Sequence, residues 1–460
     1  MLRTLVVSLG VATTVAAQDV LHPVTEAVQS FDSSYIANPG PVEVLLWSQD
    51  VATGGDWVSV HCRDSHLAAG SHLRIYAPQR PTWVQYHDAG SLRDYDGWSA
   101  EFAGPSVRVE LWGAPYTNGN RVWIDRSRST TFFQGGLDTI CDGADDRVLS
   151  SDPRSCRLGT GCSAWLFSEY AVASAGHCMN SGTTSGVLLH FNVPLSNAAG
   201  VPQPAHPDDQ YALGSFLQFL DLGIGQDWSV MAAVRNSNTG LFPGQAQGSW
   251  YTIGAPAAPG AVLRVTGYGT GNGTSGSATA NQAQKTHSGL QVPTALADAV
   301  AHRVDTTGGN SGSPILHEAT GAVVGVHTHG GCTNGAGQNS GTAVTRGDWT
   351  AARQAVLGLH TVGGFSTFGQ GCGAAFGVPT LGFSGIPELG RVFSIRVSNL
   401  NPTPGLVGIL VAGFSASQWS GGPLPAALAP LGLQGCNLHV SAEGVESMAA
   451  ASGLAVRSYF

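Results

Sequence analysis

The sequence predicts an all-β protein built from several domains, and three observations carry that reading. Glycine and proline are abundant, 63 and 24 of 460 residues, while only 11% are charged; such a composition suits many short strands joined by turns better than long helices. Apolar and polar residues alternate with period two in short runs separated by turn residues. The length exceeds one typical domain and predicts two to four. The formal charge is −9, Lys285 is the single lysine, and no basic run occurs, so nucleic acid is not the expected partner.

The elements follow in chain order. Met1-Leu-Arg3, an apolar run from Leu5 to Val15 and Ala16-Ala17-Gln18 have the layout of a secretory signal over residues 1–17. The run is too short to span a bilayer, so the chain is expected to be secreted (extracellular or periplasmic), with no membrane partner. All eight cysteines lie beyond it and favour disulfides over free thiols in an exported protein. Residues 24–126 alternate in the manner of a β-sandwich, as in Val107-Arg-Val-Glu-Leu-Trp112. His87 and Asp88 there read as surface loop. Residues 127–140 read as a linker. The acidic stretch Asp142-Gly-Ala-Asp-Asp-Arg147 lacks the spacing of a calcium loop and reads as a solvated turn or an arginine–carboxylate cluster. The Gly/Ser/Thr-rich residues 267–276 read as a surface loop.

The chemistry centres on Asp305-Thr-Thr-Gly-Gly-Asn-Ser-Gly-Ser-Pro-Ile315, where Ser311 sits between glycines and an apolar strand resumes behind it. Glycines let such a loop turn tightly and bring amides close to a ligand. A serine nucleophile needs a base, and the base an orienting acid. Upstream, Ala173-Ser-Ala-Gly-His-Cys178 follows Gly161-Cys-Ser163. This pair of motifs resembles the signature around the catalytic histidine of chymotrypsin-like serine proteases, including the two bracketing cysteines sixteen residues apart.

That resemblance implies two six-stranded antiparallel β-barrels with a short C-terminal helix over residues 141–361. It implies His177 as base, Ser311 as nucleophile, a Cys162–Cys178 bridge, and the chain order histidine, aspartate, serine. Asp227, opening the apolar run Trp228-Ser-Val-Met231, fits the acid; Asp221 is the runner-up. The backbone N–H groups of Gly309 and Ser311 would form the oxyanion hole. The segment Gly325-Val-His-Thr-His-Gly-Gly-Cys332 resembles the strand that pairs with substrate, Gly330 included. The implied function is hydrolysis of protein or peptide substrates through an acyl-enzyme, with no cofactor and no metal. His327, His329 and Cys332 do not make a complete zinc set. A silent binding protein on the same fold is the competing reading, opposed by the intact serine, histidine and aspartate. An α/β-hydrolase would need the serine first.

Asn310 departs from the animal enzymes, which carry aspartate there to bind a freshly cut N-terminus. It is similar instead to bacterial glutamyl endopeptidases. The sandwich, which resembles the β-rich domain preceding some bacterial trypsin-like enzymes, is then either a removable prosegment or a retained accessory module. For the specificity pocket, Asp305 stands where trypsins hold the acid that receives arginine or lysine, and His327 where glutamyl endopeptidases receive an acidic side chain; the sequence leans to Asp305. Residues 362–460 read as a small C-terminal β-domain with a plausible Cys372–Cys436 bridge, while Cys62, Cys141, Cys156 and Cys332 admit three pairings. The sequence sets no oligomeric state.

Overall fold

In the computed structural model the described residues are 24–131, 138–333 and 335–359. Beyond these come the segments 380–384, 393–398, 407–412, 418–419, 422–429, 437–438, 444–451 and 454–459. The proposed signal at 1–17 and both Cys372 and Cys436 lie outside them.

Two four-stranded antiparallel sheets form the N-terminal region. One runs Val24–Asp32, Trp123–Thr130, Trp57–Cys62, Phe102–Ala103; the other runs Val44–Ala52, Ser106–Gly113, His72–Tyr76, Val84–His87. Period-two alternation sets their faces. Val107, Val109 and Leu111 point into a core shared with Val58, Val60 and Ile124 of the other sheet, while Arg108 faces out and pairs with Asp50 at 2.7 Å. The last strand continues to Thr130, past the boundary read at residue 126, because Arg128–Thr130 keep pairing with Trp57–Ser59. His87 is not surface loop: it is fully buried and packs edge-on against Tyr95, while Asp88 caps the helix Ala89–Asp94.

A first closed antiparallel barrel runs Ser155–Leu158, Ser163–Leu166, Ala171–Ser174, Asp227–Ala233, Gln210–Asp221, Leu188–His190. A second follows as Lys285–Val292, Val262–Gly267, Pro314–His317, Ala322–His329, Asn339–Ala343, Ala299–His302. It closes where Gln291 and Val292 pair with His302 and Ala301. Each barrel has its own core, around Leu166, Val172 and Met231 in the first and Val265, Val300 and Ile315 in the second. A third cluster joins them: Trp165, Trp228 and Val230 meet Leu316 and Val326, covered by Trp349, Ala352 and Val356. Those last three share one face of the helix Gly347–Leu357 at spacings of a helical stripe. From Gly358 the chain forms a separate unit, with a five-stranded antiparallel sheet ordered Thr380–Ser384, Phe393–Ser398, Leu454–Tyr459, Gly444–Ala451, Val407–Ala412.

The sandwich is fastened to the first barrel by polar contacts. Gln210 closes two bonds of 2.8 Å with the backbone of Glu101. Asn238 accepts from Tyr86 N at 2.7 Å and donates to Val84 O at 2.7 Å. Tyr95 packs on Leu188 and Ala212.

Among the described residues two bridges form, Cys162–Cys178 and Cys141–Cys332. Cys62 and Cys156 are free and buried, because one sits in the sandwich core and the other in the first barrel; the expectation that all cysteines pair fails for these two. The Cys141–Cys332 bridge closes a separation of 191 residues, long enough for a large entropic effect on the unfolded chain. The double variant Cys141→Ser/Cys332→Ser is expected to lose about 3–5 kcal/mol of stability, measured by denaturant titration against the wild type.

Candidate active site

His177 begins a short 3-10 turn, His177–Met179, directly after the strand Ala171–Ser174. Gly176 permits that turn: a Cβ there would lie 1.9 Å from Leu220 O. Asp227 heads the next barrel strand, is fully buried, and gathers the turn onto itself. Its Oδ1 accepts from Gly176 N at 2.6 Å and His177 N at 3.1 Å, and its Oδ2 lies 2.5 Å from His177 Nδ1. A carboxylate at Nδ1 holds the Nδ1–H tautomer and leaves Nε2 as the proton-accepting nitrogen. Asp221, the runner-up, pairs across the strand from Asp227 and is exposed.

The serine loop is fastened to both neighbours. Ser163 N donates to Ser311 O at 2.8 Å, and Gly312 N and His327 N exchange bonds with His327 O and Ser313 O at 2.7 and 2.9 Å. Gly309 and Gly312 have φ of 93° and 88°, in the left-handed region, and a Cβ on Gly309 would lie 2.7 Å from Tyr268 O. The Ser311 hydroxyl is 3.5 Å from Thr328 O. The next residue, His329, has its ring centroid 6.1 Å from that of His177 and its Nδ1 3.8 Å from Asp227 Oδ2. Asp227 thus holds His177, and the strand that reaches Ser311 through Thr328 places the next residue, His329, beside the His177 ring.

Beneath the loop lies a residue that the motif reading missed. Arg147 is 2% exposed, yet each of its five N–H donors has an acceptor. Two go to Asp145 at 2.7 Å, and one each to Thr307 Oγ1 at 2.7 Å, Thr270 O at 2.8 Å and Asn310 Oδ1 at 3.2 Å. Against the cost of burial, this guanidinium holds the Asp145 carboxyl below its ordinary value. The arginine–carboxylate reading of 142–147 therefore holds for Asp145 and Arg147. The stretch 267–276 is not simply a surface loop: residues 267–270 are buried, and Lys285 Nζ donates to Gly269 O at 2.9 Å.

The two pocket candidates have different surroundings. Asp305 is 1% exposed; its Oδ1 accepts from Cys141 N at 2.6 Å, and it clusters with Asp142, Asp146 and His287. His327 belongs to a neutral relay. Val304 N donates to His302 Nδ1 at 3.2 Å, so His302 Nε2 carries the proton and donates to His327 Nδ1 at 3.2 Å. His327 then keeps its own proton on Nε2. Burial, then His302, His329 and His177, hold it well below its ordinary pKa. A bulge between His327 and His329 interrupts the strand's alternation; the first ring lies against His302 and the second against His177. Cys332 is in a bridge, so it offers no thiolate to a metal. Gly330 follows this strand and is buried.

Residues 162–326 match the family model described as a trypsin-like peptidase domain. The matched segment contains His177, Asp227, Asp305 and Ser311 and ends just before His327. No curated protein is significantly similar in sequence. Among solved structures, the chain is similar to a thermostable serine protease, AL20, from an extremophilic microorganism, at 17% identity over 45% of this chain and 98% of that one, TM-score 0.36. It is similar to a Glu endopeptidase solved with MPD at 19% identity over 47% and 100%, TM-score 0.36. It is also similar to a mutant of human heparin binding protein at 14% identity over 46% and 96%, TM-score 0.34.

The acidic cluster gives a pH prediction. Burial, then the charges of Asp142 and Asp146, push Asp305 up to about 6 from 3.8, against the Cys141 N–H that lowers it. The folded state therefore holds this proton more tightly, and stability is lost as pH rises from about 4 to about 6. Asp305→Asn keeps the acceptor for Cys141 N and removes the charge. It is expected to raise Tm by about 2–4 °C at pH 8 and to give no gain near pH 4, as read by thermal unfolding at both pH values.

Proposed function

We propose that this protein is a secreted serine endopeptidase that cuts peptide bonds through Ser311, His177 and Asp227. The observation that carries this reading is the buried Asp227 carboxylate on His177 Nδ1 beside the glycine-flanked Ser311 loop. His177 Nε2 takes the Ser311 proton as Oγ attacks the carbonyl carbon, and the oxyanion is met by the N–H groups of Gly309 and Ser311. His177 then returns the proton to the leaving amine, and water attacks the acyl-enzyme by the same route in reverse.

Residues 1–17 would direct export. Among the described residues no helix is long and apolar enough to cross a membrane, and two bridges fit an oxidising compartment. At the specificity pocket the surroundings now favour His327 over Asp305. A neutral Nε2–H is a donor for a carboxylate, whereas the Asp305 carboxyl is held by Cys141 N and turned among other acids. We infer an acidic residue before the cut bond.

A fluorophosphonate probe should label the wild type and not Ser311→Ala; labelling of both variants equally rejects the assignment, and labelling of neither favours the silent binding protein. In a peptide-library digest, cleavage after glutamate or aspartate should fall at least tenfold in His327→Ala, whereas cleavage after arginine or lysine, lost in Asp305→Asn, would return the pocket to Asp305. Arg147→Met should keep the fold by circular dichroism and lower kcat about 10–100-fold by loosening the oxyanion loop.

A further inference from the structure

A cavity of about 440 Å3 opens where the sandwich meets the first barrel, and His177 is on its wall. One side is barrel: Thr160, the Cys162–Cys178 bridge and His177. The other side is sandwich: Glu26, Trp57, Glu101 and Arg128. The interface is close-packed here. Gly186 has φ of 68°, and a Cβ on it would lie 2.0 Å from Arg128 Nη1.

The chemistry of the proposed reaction says which part of a substrate would enter. His177 delivers its proton to the leaving amine, so the residues after the cut bond pass on the His177 side, away from the serine loop and His327. The cavity is the space found there. Its wall is fixed and charged. Glu26 receives Arg128 Nε at 3.0 Å and Arg126 Nη1 at 3.1 Å, and the Arg128 guanidinium lies 3.9 Å from the centre of the Trp98 ring. Glu101 is only 8% exposed, with one carboxylate oxygen 3.2 Å from His190 Nε2. The charged side chains of the lining are Glu26, Glu101 and Arg128, with Arg126 behind Glu26, and Trp57, 7% exposed, adds an apolar surface. The buried Thr160 hydroxyl has no hydrogen-bond partner among the described residues.

We propose that the N-terminal sandwich is part of the substrate cleft. It supplies one wall of a subsite for the leaving-side segment of a peptide, and that subsite takes a basic side chain whose stem lies along Trp57 and whose head meets Glu26 and Glu101. This rests on the endopeptidase reading. It also makes the sandwich a working part of the mature enzyme and not a segment to be discarded.

The test compares two substrates on the full-length protein. One is an internally quenched peptide with four residues after the cut bond, carrying arginine or glutamate at each position in turn; the other has the same acyl side but ends in p-nitroanilide, with no leaving-side residues. The wild type should cleave the best arginine peptide at least tenfold faster, in kcat/KM, than its glutamate counterpart. In Glu26→Gln that ratio should fall at least fivefold, and Glu26→Lys should bring it to one or below, while Asp50→Asn on the opposite sheet leaves it as in the wild type. Equal treatment of arginine and glutamate by the wild type, or variants that slow both substrate types alike, would overturn the subsite while leaving the protease reading intact. Absence of fluorophosphonate labelling and of both cleavages would remove the protease reading and the subsite with it.

Discussion

The buried carboxylate of Asp227 is the point on which the arrangement of both barrels depends. It belongs to the first barrel, gathers the His177 turn through two backbone N–H groups and the imidazole, and its own N–H donates to Thr342 Oγ1 of the second barrel at 3.1 Å. A carboxylate excluded from water costs several kcal/mol unless its lone pairs are met, and hydrogen bonds to a charged group contribute about 1.5–3 kcal/mol each. Three donors on one side chain therefore fix where the His177 turn must sit. The ring follows, and beside it lies the strand that sets His329 against His177 and Thr328 against Ser311.

A second buried charge does the corresponding work under the serine loop. Asn310 is neutral and has no use for a new N-terminal ammonium; its Oδ1 is held instead by Thr307 N at 3.0 Å and by Arg147. Arg147 in turn is neutralised by Asp145 and fixed by Thr270 and Thr307. A cation that is already part of the fold braces the loop without any cleavage. The proposed activity then has no need of a processing step to order its oxyanion donors, and this agrees with a sandwich that stays bound through Gln210, Asn238 and Tyr95.

Much of this was legible in the sequence because it is local. The strands of the sandwich follow from alternation in stretches such as 107–112, the closing helix from the resemblance, and the proposed site from three short motifs. What was not legible depends on partners far along the chain. Arg147 reaches Asn310 across 163 residues, and no local pattern announces that contact. His87 lies beside an aspartate and looked exposed, but the sheet carries it into the interior against Tyr95. A bulge between His327 and His329 puts the two rings in different company, and no sequence pattern marks it. Of the four cysteines whose pairing spacing left open, two are kept apart by lying in separate cores.

The same division between local and distant contacts explains how one cleft could carry two preferences. In the proposed reading, the residue before the cut bond is judged by His327, a neutral donor set by the relay through His302 and Val304 inside the second barrel. The residues after it are judged by carboxylates that belong to the sandwich. The first barrel stands between, contributing His177 and Asp227 to the chemistry and little side-chain charge to either choice. Glu26 belongs to the sandwich and the His302–His327 pair to the second barrel. The two ends of a substrate can therefore be selected separately, with an acid wanted on one side of the bond and a base on the other, by charges that never face each other.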